Sequence, residues 1–304
     1  MQESKVKNAD MAGGVMLMIR AMRPRQWLKN SLIFIPVLTA HSSDFRSWRA
    51  CVIAFAAFCL CASSAYLLND VLDIRHDRLH PRKKTRPIAA GAISRSGALC
   101  CSFLLGAAGM AVAAGGGIPL LKVVFFYFIL TVLYSVYLKK ILLIDVAMLA
   151  GLYTIRIIGG SAATDIRLSF WLLSYSFFLF LSLALLKRHN ELVRLKEENV
   201  LTVPGRGYVP ADSTPVAIFG ISSGLISALV LMLYYNSGEV AKLYPSPLPL
   251  FFVVPLFFIW IARLWLLSFR MQIDEDPLLH VSTDPASITI ILVCVGLAGL
   301  AAAI

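Results

Sequence analysis

The sequence has few charged residues for its length. Only 15% of its 304 residues are Asp, Glu, Lys or Arg, whereas 59% are hydrophobic. With a mean hydropathy of +0.77, the chain cannot cover a water-exposed surface, so a soluble domain is excluded. No soluble domain or low-complexity segment interrupts the apolar stretches. We therefore predict an all-α, polytopic membrane protein in which residues 1–304 form one transmembrane domain.

Cysteine and histidine are also scarce, with six and five residues. The cysteines lie in or beside apolar stretches and lack neighbouring histidines at metal-ligand spacing, so we interpret them as small core residues. A secretory signal peptide is not predicted, because the stretch MAGGVMLMIRAMRPRQW is short and runs into arginines without a cleavage site. Residues 1–28 are expected to form a cytoplasmic interfacial segment instead.

Apolar windows of about twenty residues predict nine transmembrane helices. The windows cover 31–40 with its flank, 50–68, 97–116, 118–137, 143–163, 169–186, 214–235, 248–268 and 286–304. Of the 28 Lys and Arg residues, 22 fall on one side of this arrangement and five on the other. The positive-inside rule then places the N-terminus in the cytoplasm and the C-terminus outside the cytoplasmic membrane.

The net charge of +11 is therefore concentrated on the cytoplasmic face. A basic membrane face suits anionic lipid headgroups and phosphorylated substrates. We expect membrane lipids as partners and no nucleic acid, and the sequence leaves a homo-oligomer open. The two longest loops, 69–96 and 187–213, lie on this face and are dense in charge. Any chemistry is expected there.

Four oxygen-bearing side chains follow the second apolar window in YLLNDVLDIRHD. Asn69, Asp73 and Asp77 are spaced i, i+4, i+8, and Asp70 stands i−3 from Asp73, so on a helix they share one face. We name these four residues the acidic strip. Like charges at this spacing repel unless a cation lies among them. Hard oxygen ligands favour Mg²⁺, with a phosphorylated substrate completing its shell.

The alternative interpretation of the acidic strip is a solvated helix end. Its carboxylates would then form ordinary local pairs with Arg75, Arg78 and Arg82. A basic run follows, made of Arg82, Lys83, Lys84 and Arg86. This run fits a simple positive-inside cluster, but beside an acidic strip it also completes a diphosphate site. Lys84 and above all Arg86, which precedes Pro87, are the expected contacts.

The motif NDVLDIRHD resembles the N-D-x-x-D-x-x-x-D pattern of the UbiA superfamily of intramembrane prenyltransferases. RPRQWLKN at 23–30, TRPIAAGAIS at 85–94, YSVYLKK at 134–140 and YTIRIIGG at 153–160 are also similar to that superfamily. The resemblance covers nearly the whole chain. It implies nine helices around a cytoplasm-facing cavity, with Asn69, Asp73 and Asp77 carrying Mg²⁺ and diphosphate, Asp73 and Asp77 catalytic, and Asp70 binding substrate.

The sequence departs from the superfamily after the sixth window. A second aspartate motif is expected there, but the chain has KRHNELVRLKEENV from Lys187 to Val200. This feature and RPRQWLKN resemble the branch of decaprenyl-phosphate phosphoribosyltransferases. The branch implies transfer of 5-phosphoribose from phosphoribosyl diphosphate to a polyprenyl phosphate, which supplies a lipid-linked arabinose precursor.

The same resemblance implies the remaining site residues. Lys29 and Lys187 are expected to be catalytic, and the expected substrate-binding residues include Tyr134, Lys139, Arg188 and Glu191. Simpler interpretations remain open. Lys139 would serve as a membrane-surface anchor, and Lys187 with Glu191 would form an i, i+4 salt bridge.

Two further residues stand out by position. Arg156 lies inside the fifth helix, where a lone charge is costly, so we expect it either to face a cavity and bind substrate or to pair with another helix. Tyr208, in the Gly- and Pro-containing stretch PGRGYVP, is interpreted as part of a lid.

Two other functions compete with phosphoribosyl transfer. The first is a UbiA-type prenyltransferase that joins a prenyl diphosphate to an aromatic acceptor, against which the missing second aspartate pair argues. The second is a transporter or lipid-binding membrane protein without chemistry. Such a protein is expected to show internal repeats and interrupted helices, and neither pattern is evident in the sequence.

Overall fold

The computed structural model describes residues 14–79, 83–198, 206–238, 240–273 and 276–303. All regular secondary structure within these ranges is helical. The first thirteen residues of the predicted interfacial segment and Arg82 of the basic run lie outside the described residues. Residues 14–22 are helical, and their interfacial position stays a prediction.

Eight helical segments in the described part of the chain are long and apolar enough to cross a membrane. Their helices are α1 (Phe45–Leu72), α2 (Arg95–Gly115), α3 (Ile118–Val136), α4 (Ile144–Thr164), α5 (Phe170–Glu197), α6 (Ser213–Tyr235), α7 (Val253–Phe269) and α8 (Pro285–Ala303). Short turns, Pro210–Asp212 and Leu248–Phe251, lengthen α6 and α7 at their starts. The predicted all-α membrane architecture is confirmed.

The first of the nine predicted windows differs from the other eight. Its region folds as a 3₁₀ helix, Pro24–Phe34, of eleven residues, followed by the five-residue α-helix Ile35–Thr39. Together these elements do not form one continuous α-helix of the roughly twenty residues that an α-helical span needs. The reason lies in the sequence, because Lys29 and Asn30 interrupt the apolar run and Pro36 removes a helical hydrogen-bond donor.

Shorter helices connect the long ones. They are Ile74–Leu79, Lys83–Thr85, Leu138–Lys140, Val240–Leu243 and Pro277–Val281. Side-chain caps fix several helix starts by accepting hydrogen bonds from otherwise unpaired N–H groups. Asp44 caps α1, Ser94 caps α2, Ser169 caps α5, and Asp276 caps Pro277–Val281.

The chain divides into two compact units. The first comprises Met1–Leu138 with Ile155–Ile166, and the second comprises Lys139–Thr154 with Arg167–Ile304. Helix α4 therefore contributes its beginning to the second unit and its end to the first. The acidic strip belongs to the first unit, and the KRHNEL stretch belongs to the second.

In the first unit α1 is the central helix. It packs closely on α2, where Ser64 Oγ donates to the Ser102 carbonyl at 2.7 Å and Ser102 Oγ donates to the Ser64 carbonyl at 2.8 Å. On α3, the Tyr127 ring lies 4.8 Å from that of Phe58. The Asn30 amide of the 3₁₀ helix donates to Cys59 Sγ at 3.2 Å. Small residues thus allow close helix contact without lipid between the helices.

In the second unit α5, α6 and α7 pack through small residues and indole donors. A side chain at Gly220 of α6 would collide with the Trp265 ring at 2.2 Å. The Trp265 indole donates to Ser182 Oγ of α5 at 3.1 Å, and the Trp260 indole donates to Ser287 Oγ of α8 at 3.0 Å. The Trp265 contacts hold the middle of α5 against α6 and α7, and the predicted charged residues follow at the C-terminal end of α5.

Candidate active-site clusters

The acidic strip continues the helix α1 beyond its end. Asp73 forms a turn between α1 and Ile74–Leu79, but the Asp73 N–H still donates to Asn69 O at 2.9 Å, and the Asp77 N–H to Asp73 O at 2.8 Å. Asp70 and Asp77 are buried, whereas Asn69 and Asp73 are half-buried. The predicted helical spacing is confirmed, and the strip has a buried and a more accessible half.

Arg86 joins the two buried carboxylates. Its NH1 group lies 3.1 Å from Asp70 Oδ1 and 2.7 Å from Asp77 Oδ2. The 3₁₀ turn Lys83–Thr85 and the following Pro87 place this guanidinium beside the strip. Arg86 was the expected diphosphate contact, and the structure shows it already bound to the acids.

Arg23 provides a second cation for the strip. Its NH2 group donates to Asp70 Oδ1 at 2.5 Å, and its guanidinium lies 5.0 Å from the centre of the Tyr66 ring, within cation–π range. Arg23 precedes Pro24 with φ 55° and ψ 60°, an uncommon left-handed conformation for a non-glycine residue. Sequence reasoning quoted this residue within RPRQWLKN but gave it no role.

These contacts bear on the alternative interpretation of the strip as a solvated helix end. That interpretation paired the acids with Arg75, Arg78 and Arg82, but Asp70 pairs with Arg23 and Arg86, and Asp77 pairs with Arg86; Arg82 lies outside the described residues. Arg78 instead donates its Nε–H to the Ala89 carbonyl at 2.9 Å. A buried carboxylate with a guanidinium partner keeps its charge compensated.

The strip fits a magnesium ion by the chemistry of its donors. Asn69, Asp73 and Asp77 supply amide and carboxylate oxygens along one helix face, and Mg²⁺ usually takes one or two carboxylates while keeping waters and substrate phosphates. Within the described ranges, no group of three or more His, Cys, Asp or Glu residues is arranged so that it could hold a metal ion by itself. The protein part of such a site is therefore small, and an ion bound at Asp77 would compete with Arg86.

Three other predicted residues lie outside the strip's ion pairs. Lys84 is exposed in the 3₁₀ turn after the strip, and Tyr134 is half-buried near the end of α3. Lys139 is half-buried in the turn Leu138–Lys140, and Lys139 itself belongs to the second unit. Their predicted substrate contacts stay predictions.

A second polar cluster of the first unit surrounds Arg156. This residue is 5% exposed, its Nε donates to Asn30 Oδ1 at 2.8 Å, and its NH2 donates to the Tyr127 hydroxyl at 3.0 Å. Its guanidinium also lies 5.0 Å from the Tyr127 ring centre. Lys29, next to Asn30 in the 3₁₀ helix, is buried too. The cluster thus holds cationic groups with neutral hydrogen-bond acceptors in the apolar part of the unit.

In the second unit Lys187 and Glu191 do not form the salt bridge that their spacing left open; each pairs with other residues. Lys187 Nζ donates to Asp276 Oδ2 at 2.8 Å, with the Lys187 side chain 41% exposed and that of Asp276 6% exposed. Glu191 pairs with Arg188 and with Arg206. Sequence reasoning missed Asp276, because 89 residues separate it from Lys187.

Arg188 lies in a fully buried ion pair. Its NH2 group is 2.9 Å from Asp145 Oδ2, and the two side chains are 1% and 0% exposed. The Asp145 carboxylate also accepts from Arg206 at 3.3 Å and from the Tyr208 hydroxyl at 2.6 Å. The predicted substrate residue Arg188 therefore does not face water, and its neighbours Glu191 and Arg206 are the more accessible charges.

The family of the chain follows from comparison with known proteins. Residues 31–277 match the UbiA prenyltransferase family, and the chain belongs to this family. It is thus an integral membrane transferase by family. The fold agrees: a UbiA homolog from Archaeoglobus fulgidus bound to DMAPP and Mg²⁺ aligns with a TM-score of 0.69 at 15% identity, covering 93% of this chain and 99% of that one.

Curated relatives differ in how much of their length the chain matches. It is 37% identical to the uncharacterized protein y4nM of Sinorhizobium fredii over 88% of this chain, but spans only 52% of that protein. The nodulation protein NoeC of Azorhizobium caulinodans is 34% identical over 90% of this chain and 89% of its own length. The decaprenyl-phosphate phosphoribosyltransferase of Mycolicibacterium smegmatis is 38% identical over 58% of this chain and 57% of its own.

Proposed function

We propose that the protein transfers 5-phosphoribose from phosphoribosyl diphosphate to a polyprenyl phosphate in a Mg²⁺-dependent reaction that releases diphosphate. The product would serve as a lipid-linked arabinose precursor. The proposal names a more specific reaction than membership of the family does. It is supported by the residues at the end of α5 and by the similarity to decaprenyl-phosphate phosphoribosyltransferase.

The observation that carries the proposal is the cationic end of α5. Where the superfamily pattern has a second aspartate pair, this chain has Lys187 and Arg188, held by Asp276 and Asp145. A prenyl diphosphate held between two acidic motifs needs carboxylates at both. Lysine and arginine side chains in place of the second acidic motif suit substrates that bring more phosphate groups.

The acidic strip would hold the metal and the leaving diphosphate. Asn69, Asp73 and Asp77 would bind Mg²⁺, which supplies Lewis-acid stabilisation of the charge that develops on the diphosphate. Arg86 would turn from Asp77 towards the diphosphate, since one guanidinium can form two parallel hydrogen bonds to phosphate oxygens. Asp70 would retain Arg23 and keep the strip neutralised.

The reaction itself needs little acid–base chemistry. A phosphate monoester has its second pKa near 6 and is mostly doubly ionised at neutral pH, so a phosphate oxygen of the lipid can attack C1 of the ribose directly. The new C1–O bond forms as the bond to diphosphate breaks, through an oxocarbenium-like state with inversion at C1. The chain's residues then act by positioning the reactants and stabilising the leaving group.

The remaining predicted residues would bind phosphate groups or orient the substrates. Lys29 and Lys187 would contact phosphate directly, and for Lys187 this means exchanging its Asp276 partner for a substrate oxygen. We assign Lys84, Tyr134, Lys139, Arg156, Arg188 and Glu191 to the substrate-binding set. Arg188 would act from its buried position through its neighbours, because its side chain is 1% exposed.

The sidedness is part of the proposal. The excess of Lys and Arg in alternate loops favours a cytoplasmic N-terminus and a cytoplasmic active site. The soluble donor would then reach the strip from the cytoplasm, while the polyprenyl tail stays in the membrane.

A second candidate is transfer of a prenyl group to an aromatic acceptor. It is favoured by the family match and by the solved homolog bound to DMAPP and Mg²⁺. In this candidate the acceptor carries no phosphate group. The same purified protein can be offered both pairs of substrates, so one experiment separates the two functions from a non-catalytic role.

The test uses purified protein in detergent with Mg²⁺, decaprenyl phosphate and phosphoribosyl diphosphate labelled in its 5-phosphate. We expect label to enter the organic phase and this transfer to stop with EDTA. A parallel reaction offers a labelled prenyl diphosphate and 4-hydroxybenzoate. Prenyl transfer without phosphoribosyl transfer would contradict the proposal, and failure of both reactions would favour a protein without chemistry.

Variants connect the activity to the site. Asp73→Asn and Asp77→Asn are each expected to lower transfer at least 100-fold, because ligand and leaving-group stabilisation are lost. Lys187→Met is expected to lower kcat/KM strongly, whereas the matched variant Lys196→Met, an exposed lysine on the same helix, should retain activity. Equal effects of the two lysine variants would remove Lys187 from the site.

A further inference from the structure

Asp145 is a buried carboxylate that the proposed reaction does not use. It is the second residue of α4 and is 0% exposed. Its Oδ1 accepts the Val146 N–H at 2.7 Å, and a negative charge near a helix N-terminus is favourable. A buried charge is costly unless it is fully paired, so Asp145 needs partners of opposite charge.

The partners of Asp145 form a closed ring of alternating charges. Asp145 pairs with Arg188 at 2.9 Å, Arg188 pairs with Glu191, Glu191 lies 3.6 Å from Arg206, and Arg206 returns to Asp145 at 3.3 Å. We name these four residues the charge ring. Each charge in it has two neighbours of opposite sign, so the ring is neutral as a whole.

Burial divides the charge ring into two halves. The side chains of Asp145 and Arg188 are 0% and 1% exposed, whereas those of Glu191 and Arg206 are 35% and 20% exposed. Interactions between charges are stronger in the buried half, because the surrounding medium is less polarisable than water. The buried half therefore fixes the direction of the two accessible side chains.

Hydrogen bonds of Tyr208 hold the segment that carries Arg206 against the start of α4. The Tyr208 hydroxyl donates to Asp145 Oδ1 at 2.6 Å and accepts the Leu143 N–H at 3.1 Å. Burial, with the hydrogen bond to Asp145, raises the pKa of Tyr208, so its phenol stays a donor at neutral pH. A side chain at Gly207 would lie 2.8 Å from the Lys140 carbonyl, which shows how closely this segment follows the chain before α4.

We propose that Asp145 is a positioning residue of the transferase: it fixes the guanidinium groups of Arg188 and Arg206 and, through Tyr208, holds residues 206–208 against the start of α4. Asp145 itself does not touch substrate. The inference rests on the proposed function, since Arg188 and Glu191 are assigned there to substrate binding. It adds Arg206 as the accessible cation that this arrangement presents to a phosphate group.

The first test measures how firmly Tyr208 holds residues 206–208 in place, and it needs no substrate. Hydrogen exchange in the full-length protein would compare wild type with Tyr208→Phe, which keeps the ring and removes the hydroxyl. We expect the Leu143 amide and residues 206–208 to exchange about tenfold faster, as for one lost hydrogen bond to a charged group. Tyr137→Phe, at an exposed tyrosine, is the matched control. Unchanged exchange in Tyr208→Phe would overturn the inference.

The second test separates positioning from mere stability. Steady-state kinetics would compare Tyr208→Phe, Arg206→Gln and the double variant, with whichever donor the wild-type enzyme uses. We expect each single variant to raise KM about tenfold with little change in kcat, and the double variant to be no worse than Arg206→Gln alone. Multiplying effects would show that Tyr208 does not act through Arg206, and would overturn the proposal.

Asp145→Asn tests the carboxylate directly. The amide keeps the shape and loses the charge, so we expect the same rise in KM and faster exchange at residues 206–208. If this variant does not fold, the Tyr208→Phe measurements still test the positioning role of Asp145. The two proposals fail differently: wild-type prenyl transfer without phosphoribosyl transfer contradicts the function, whereas unchanged exchange in Tyr208→Phe contradicts only the positioning role.

Discussion

The ion pair between Arg86 and Asp77 should contribute measurably to the stability of the first unit. Asp77 is 4% exposed in its side chain, and its guanidinium partner lies 2.7 Å away. Arg86→Met removes that partner and leaves a buried carboxylate without it. Asp70, the other carboxylate that Arg86 contacts, keeps Arg23. The cost of the substitution should therefore come mainly from Asp77.

The magnitude follows from the burial of the two partners. Breaking a buried ion pair costs about 3–5 kcal/mol, and the Arg86 side chain is 26% exposed, so we expect a value near the lower end, about 3 kcal/mol. Asp77→Asn should cost less, because the amide still accepts a hydrogen bond and Arg86 keeps Asp70. The double variant Arg86→Met with Asp77→Asn should be more stable than the sum of the singles predicts, by about 2 kcal/mol.

The assay uses the protein's own cysteines. Cys51, Cys59 and Cys61 are at most 5% exposed, so a thiol-reactive dye reports their exposure as the protein unfolds in detergent of graded SDS content. Arg95→Met is the matched control, because Arg95 is exposed at the start of α2, and it should stay within about 0.5 kcal/mol of wild type.

Additive losses of stability in the double variant would contradict the ion pair. If the double variant loses the sum of the two single losses within about 0.5 kcal/mol, then Arg86 and Asp77 do not stabilise each other. In that case the resting state of the acidic strip is not the paired one, and Arg86 needs no release before it binds diphosphate.

Two further predictions concern packing and pH. Gly160→Ala should destabilise the protein by about 1–3 kcal/mol, because a Cβ there would lie 2.0 Å from the Ile33 carbonyl oxygen. Gly151→Ala on the same helix should be neutral or stabilising by up to about 1 kcal/mol, because a Cβ there would meet nothing within 4 Å. The same dye assay measures both variants, and equal effects would contradict the helix contact. The hydrogen bonds from Arg263 lower the pKa of Asp284, so its stabilisation is complete above the unfolded-state value of about 3.9 and is lost as the pH falls through the lower folded-state value. Asp284→Asn should therefore lower the unfolding midpoint at pH 5 and have less effect at pH 3, and a deficit that stays constant with pH would contradict this pairing.

The parts of the site that depend on local periodicity were predictable from the sequence. Asn69, Asp73 and Asp77 share a helix face because their spacing is close to whole helical turns, and the turn before Pro87 directs Arg86 towards them. The family pattern in NDVLDIRHD depends on the same local geometry. For that reason the shared helix face of the strip was predictable before any partner was known, whereas its role in binding metal and substrate stays a prediction.

The long-range ion pairs were not predictable in this way. Arg23 is 47 residues from Asp70, and Lys187 is 89 residues from Asp276. Which charges meet over such distances depends on helix packing, and no local pattern encodes it. The predicted pair of Lys187 with Glu191 shows the consequence, since correct helical spacing did not make them partners.

The region of the first predicted span differs from one continuous α-helix for a different physical reason. A hydropathy window averages transfer energies and does not register that Pro36 interrupts helical hydrogen bonding. Lys29 and Asn30 lie in the flank of the window and not within residues 31–40. The structure forms a 3₁₀ helix there, Pro24–Phe34, and buries both polar residues. The loop before α8, to which the sequence assigned no role, likewise contains Asp276 and Asp284 as ion-pair partners.

The central claim is that phosphoribose, and not another part of the donor, moves to the lipid. The most direct measurement gives the purified protein decaprenyl phosphate, Mg²⁺ and phosphoribosyl diphosphate labelled separately in the ribose, the 5-phosphate and the β-phosphorus of the diphosphate. We expect the ribose and 5-phosphate labels to enter the organic phase in equal amounts, while the β-phosphorus label stays in water as diphosphate. Label from the diphosphate in the lipid, or no ribose label there with wild-type protein that transfers a prenyl group, would contradict it.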